Sequence, residues 1–105
     1  MSIALIGGMN RLHRHYLEEA ARLGIELRVF NQAEVHMAAK LKHVDAMVIF
    51  TNKVAHAARH RALDIARSRG IPVHMAHSCG LCTLRECLTC LLRQSADPAD
   101  KTTNQ

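Results

Sequence analysis

Val44-Asp45-Ala46-Met47-Val48-Ile49-Phe50-Thr51-Asn52 is the stretch that decides the fold. From Ala46 to Phe50 it is apolar without alternation, which marks a strand covered on both faces, as in a parallel sheet. Thr51-Asn52 then turns the chain into a helix expected from about Lys53 to Arg69 and stopped by Gly70. Pro72 opens another strand, through Met75. A strand, a helix and a second strand in this order form one parallel crossover unit.

The same alternation continues upstream. Ser2 to Ile6 is a short apolar run ending in Gly7-Gly8. A helix follows from about Asn10 to Leu23, with Leu12, Tyr16, Ala20 and Leu23 on one face and Gly24 as its stop. Ile25 to Phe30 alternates as a second strand. Asn31, with Glu34 three residues on, resembles a capping box for a short helix reaching about Lys42. Downstream, the loop His77-Ser78-Cys79-Gly80 leads to Thr83 and Glu86, a second capping-box pattern. The helix it opens runs to about Gln94, with Leu84, Leu88 and Leu91 inward. Ser95 to Gln105 is polar and aperiodic and reads as a disordered tail. The expectation is one α/β domain over residues 1–94, a small three-layer Rossmann-like fold with a four-stranded parallel sheet.

The 105 residues leave room for one core, and only Tyr16, Phe30 and Phe50 are aromatic, so that core is aliphatic. Four strands leave exposed sheet edges, which favours a homodimer. The net charge of +5 is dispersed, without a run of five like charges, and stacking aromatics are scarce. Nucleic-acid binding is therefore not expected. The start lacks a basic leader segment, and no eighteen-residue apolar run occurs, so a cytoplasmic protein without a membrane anchor is expected.

Ligands of parallel sheets sit beyond the carboxyl ends of the strands, which draws attention to 7–11, 30–32, 51–56 and 77–82. Gly7-Gly8 would let backbone amides approach an anion, with Arg11 adding charge, or would simply make a close turn. Neither a GxGxxG nor a P-loop is present. His56 and His60, four apart, share one helix face. They could chelate a metal, or one could ligate haem iron while the other lines the pocket. His13 and His15 lie in the first helix at the same end of the sheet but point to different sides. His36 and His43 flank the short second helix as surface residues.

The cysteines read Cys79-x2-Cys82-x4-Cys87-x2-Cys90. If Thr83 caps the last helix, Cys82 and Cys87 occupy staple positions. Four thiolates, with His77 nearby, could then converge on zinc or an iron–sulfur cluster. The C-x4-C-x2-C part matches plant-type iron–sulfur spacing, whereas zinc ribbons separate their pairs by about fifteen to twenty residues. A redox pair, Cys79–Cys82 or Cys82–Cys87, is a second reading, and small core hydrophobes a third. No nucleophile elbow or paired carboxylates stand out, so no enzyme activity is expected.

Several of these segments together resemble the bacterial family called domain of unknown function 2325. They are Gly7-Gly8, Arg11, His15-Tyr16, Thr51-Asn52-Lys53-Val54-Ala55-His56, Gly70-Ile71-Pro72 and the turn from Ser78 to Leu84. The family often carries Asp at Asn52 and Ser at Ala55, and serines where this turn has Cys79 and Cys82. The resemblance spans roughly Ser2 to Leu92. It implies an association with haem, oxygen binding and oxidative-stress defence, and it places His56 and His15 in the shared site. The resulting expectation is a non-catalytic iron-cofactor protein that holds haem through His56, with His60 or His15 nearby, and takes a small gas ligand. Zinc or iron–sulfur binding by the cysteines and a metal-free thiol switch or interaction module are the alternatives.

Overall fold

The computed structural model describes residues 1–32 and 36–96. Strand β1 (Ser2–Ile6) leads through a 3-10 turn (Asn10–Leu12) into α1 (His13–Arg22). Then follow β2 (Glu26–Phe30), α2 (Met37–Lys40), β3 (Ala46–Phe50), α3 (His56–Arg69), β4 (Val73–Ala76) and α4 (Leu81–Ala96). The four strands form one sheet in the order β2-β1-β3-β4, every pair parallel. The α/β class and the parallel sheet are those expected from the apolar run at 44–50.

The two sheet faces take alternate side chains of the same strands. Ile3, Leu5, Val48 and Phe50 pack with Tyr16, Leu84, Leu88 and Leu91, so α1 and α4 cover one face. Ala4, Ile6, Met47 and Ile49 pack with Met37, Leu41, Ala58, Ala62 and Ala66, so α2 and α3 cover the other. All five residues of β3 are buried. The Tyr16 and Phe50 rings meet at 5.8 Å between centroids, tilted by 57°. Glu19 ties α1 to α4. Its carboxylate accepts from Arg85 Nη2 and Nε at 2.8 and 3.1 Å, and Arg22 stands 3.4 Å away. No described helix is long and apolar enough to cross a membrane.

Four local expectations are corrected. The short second helix spans only Met37–Lys40, with His36 at its cap position and no side-chain cap. Asn31 instead donates from Nδ2 to Asn10 Oδ1 at 2.7 Å, joining the β2 and β1 ends, and Glu34 lies outside the described residues. The last helix begins at Leu81, not after Thr83, because the Gly80 carbonyl already accepts the Leu84 amide at 3.1 Å. Cys79 thereby takes the position before the cap and Leu84 the fourth helical position, both buried in one cluster. Cys82 sits inside the first turn. Helix α3 starts at His56, since Lys53 still belongs to the turn, its amide bonding to the Phe50 carbonyl at 3.4 Å. Ser95 and Ala96 are helical, and the rest of the expected tail, 97–105, lies outside the described residues.

Candidate functional site

In this strand order the connection after β1 leads to one side and that after β3 to the other, so the usual ligand crevice lies between the ends of β1 and β3. Among the described residues, backbone hydrogen bonds cross it. The Gly8 amide donates to the Lys53 carbonyl at 2.7 Å and the Gly7 amide to the Phe30 carbonyl at 2.8 Å. A Cβ on Gly7 would run into the Lys53 carbonyl, and one on Gly8 would lie 2.9 Å from the Tyr16 ring. Both glycines also hold φ near +100°, at +95° and +100°. Their role is close approach, and neither amide is left for an anion. The fully buried Tyr16 adds side-chain bonds, accepting from the Met9 amide at 3.1 Å and donating to the Cys79 carbonyl at 2.6 Å. Burial pushes its phenol up, the Met9 bond opposing and nearby Cys79 adding to the rise. Arg11, His13 and His15 are exposed, the Arg11 guanidinium reaching Met9 Sδ at 4.0 Å.

On the β4 side, Thr51 Oγ1 lies 2.9 Å from His77 Nδ1 and 3.3 Å from the Ala76 carbonyl. The hydroxyl has one proton. Both bonds are met together when it donates to Ala76 and accepts from a protonated Nδ1. That tautomer leaves His77 Nε2 with the open lone pair. No local pattern announces the pairing, because the partners are 26 residues apart, although both fall in strand-end segments.

Helix α3 presents the other concentration of chemistry. Its inner side is built from small residues, Ala58, Ala62 and Ala66, with Ile65, and so fits closely on the sheet. Its outer side carries His56 and His60, both exposed, with ring centroids 6.3 Å apart and planes 26° from parallel. They head a groove of about 400 Å³ lined by His56, Arg59, His60, Leu63, Asp64 and Arg67. These positions are one stripe of a helix at i, i+3, i+4, i+7, i+8 and i+11, a signal already available in the sequence once His56 is taken as its origin. Ala55 anchors the first turn, its carbonyl accepting the Arg59 amide at 3.0 Å. Arg67 and Asp64 approach only to 4.0 Å with both side chains more than three-quarters exposed, so the guanidinium stays available.

The groove's lining, all from one helix, includes residue types that a haem uses. An iron-bound porphyrin asks for an imidazole nitrogen, an apolar contact and cations for two propionates. His56, Leu63, Arg59 and Arg67 are of those types. None of the three aromatics contributes, since Tyr16, Phe30 and Phe50 are all buried in the core.

The cysteines divide by side. Cys79 and Cys87 are buried in the α1–α4 face of the core, whereas Cys82 and Cys90 are exposed, and all four are free thiols. Burial pushes the Cys87 thiol up, with smaller contributions from neighbouring Cys90 and Glu86. Among the described residues no three His, Cys, Asp or Glu side chains gather to hold a metal. Bringing all four thiols to one ion would draw Cys79 and Cys87 out of the core.

The model of a bacterial family, domain of unknown function 2325, described as an uncharacterized protein conserved in bacteria, matches residues 2–91. The chain belongs to this family. No curated protein and no solved structure matches it. The matched span contains the whole sheet, the crevice and the α3 stripe. The domain of unknown function 2325 match thus covers every site residue considered above.

Proposed function

We propose that this chain is a non-catalytic haem-binding protein in which the His56 imidazole would hold the iron, giving a response to oxygen or redox state. The observation that carries the reading is the stacked, solvent-facing His56/His60 pair at the head of a groove with two guanidinium groups and an aliphatic side chain. The Thr51 to His56 segment, one of those that carry the family resemblance, supports the same residue.

Bound haem would supply reversible ligation of a diatomic gas and one-electron exchange. The protein's part is to bind and orient. His56 is the first residue of α3, which places its imidazole at the head of the stripe. His60, one turn on, offers a second imidazole to the same groove. Arg59 and Arg67 are placed to pair with carboxylates, and Leu63 gives the apolar contact between them. The reading includes no chemical transformation of a substrate.

The test is an anaerobic absorption titration of the protein with ferric and ferrous haem. Expected is a sharp Soret band that saturates at a fixed haem-to-chain ratio, shifts when oxygen is admitted, and is lost in His56→Ala. A featureless titration, or a band unchanged in both His56→Ala and His60→Ala, overturns it. A colourless protein that carries stoichiometric zinc, lost on Cys87→Ser/Cys90→Ser substitution, would replace it with the cysteine-site reading.

A further inference from the structure

The two edges of the sheet are built differently. Edge strand β2 carries Glu26 and Arg28, exposed and paired at 3.2 Å, charges of the kind that keep a strange strand away. Edge strand β4 (Val73-His74-Met75-Ala76) has no Asp, Glu, Lys or Arg. It holds two of the four exposed large hydrophobic residues among the described residues, Val73 at 36% and Met75 at 43%.

The backbone of β4 alternates as well. The Pro72 and Ala76 carbonyls accept from the Met47 and Thr51 amides of the β3 side at 2.9 and 2.8 Å. Residues 72, 74 and 76 therefore point their polar groups at β3. The N–H and C=O of Val73 and Met75 point away from the sheet and meet no partner among the described residues. In an antiparallel ladder, residues two apart are those that exchange paired hydrogen bonds with a partner strand.

We infer that β4 joins two copies of this chain, strand against antiparallel strand, into one continuous sheet across a two-fold axis. The occupant is a second copy because the strand is complementary to itself in one register. With the axis at His74, Val73 of each copy faces Met75 of the other. Each such pair exchanges two main-chain bonds, so all four free polar groups of each strand are satisfied. Val73 and Met75 share one sheet face, so their exposed side chains meet across the axis as apolar pairs. A shift of register by two residues leaves part of that set unbonded, and a shift by one puts apolar against polar faces. This inference stands apart from the haem reading, since α3's histidines take no part in it.

The test is the mass of the full chain in solution by sedimentation or light scattering at micromolar concentration, with and without Met75→Pro and Val73→Lys. Proline at 75 removes an amide that points outward, so the ladder to β3 is kept. Expected is a dimer for the unmodified chain and for Arg28→Ala on the β2 edge, and a monomer with unchanged circular dichroism for both β4 variants. A monomeric unmodified chain overturns the inference, as does a folded Met75→Pro that remains dimeric. If the β4 variants fail to fold, hydrogen exchange of the unmodified chain decides. The Val73 and Met75 amides should exchange on the order of tenfold or more slower at high protein concentration than at high dilution. Fast exchange at every concentration contradicts it.

Discussion

The two helical layers of this sheet do different work. The α1–α4 layer is heavy and tied. It sets Tyr16, Leu84, Leu88 and Leu91 against the sheet, bridges the helices through Glu19 and Arg85, and buries two of the four thiols. The α2–α3 layer is lighter, resting on three alanines and Ile65 of α3 and a single turn of α2, and keeps its histidines and arginines toward solvent. Reactive residue types are exposed along one stripe in both layers, His56, His60 and Arg67 on α3 and Cys82, Glu86 and Cys90 on α4, but only α3 brings two imidazoles together. The proposed haem site draws on the α3 stripe, while the α4 stripe offers the two exposed thiols.

The largest expected effect sharpens this contrast at its core. Leu88→Ala should cost about 2–5 kcal/mol, since it empties a fully buried site on the tied layer. Thermal or urea unfolding measures it. A cost below about 1 kcal/mol would mean that this layer is no better packed than α3.

Next comes the ion pair. The Arg85 hydrogen bonds hold the Glu19 carboxyl below its usual range, with some opposition from desolvation. A carboxyl lowered in the folded state adds stability that is complete above the ordinary carboxylate range and fades as the pH falls through its folded value. Glu19→Gln should therefore lower the melting temperature at neutral pH, and the deficit should close in acid. A deficit independent of pH would show that shape, and not charge, joins α1 to α4.

Thiol chemistry probes the same layer more gently. Two cysteines, Cys82 and Cys90, should alkylate quickly in the native protein, while Cys79 and Cys87 wait for denaturant or, for Cys87, for alkaline pH. Four equally fast thiols would break the division between buried and exposed pairs. The smallest effect is expected in the lighter layer. His56→Ala should change stability by no more than about 0.5 kcal/mol, because the side chain is exposed, yet abolish the haem band.

Much of this was legible beforehand, for identifiable reasons. The Ala46 to Phe50 run and the Ser2 to Ile6 run are apolar on both sides because both strands are interior, so pattern alone located them. The His56/His60 spacing likewise needs only helix periodicity. What failed was local competition and distance. Thr83 and Glu86 offered a capping box, but Gly80 lies after a loop already turned by the Tyr16–Cys79 bond and starts the helix first. Asn31 found Asn10 across two strands instead of a neighbour. Glu19 and Arg85 are 66 residues apart, so periodicity could put each on a helix but could not pair them. The bonds across the crevice depend on Gly7 and Gly8 meeting Lys53 and Tyr16, contacts that no spacing announces.

The most direct test of the assignment of haem to α3 is an amide NMR spectrum of the isotope-labelled chain, recorded with and without one equivalent of ferric haem. Paramagnetic iron broadens nearby resonances. The account predicts selective loss of the amides from His56 to Arg67, with those of α1 and α4 left sharp. Broadening centred on Cys79 to Cys90 or on Gly7 to His15, or none at all, would contradict it.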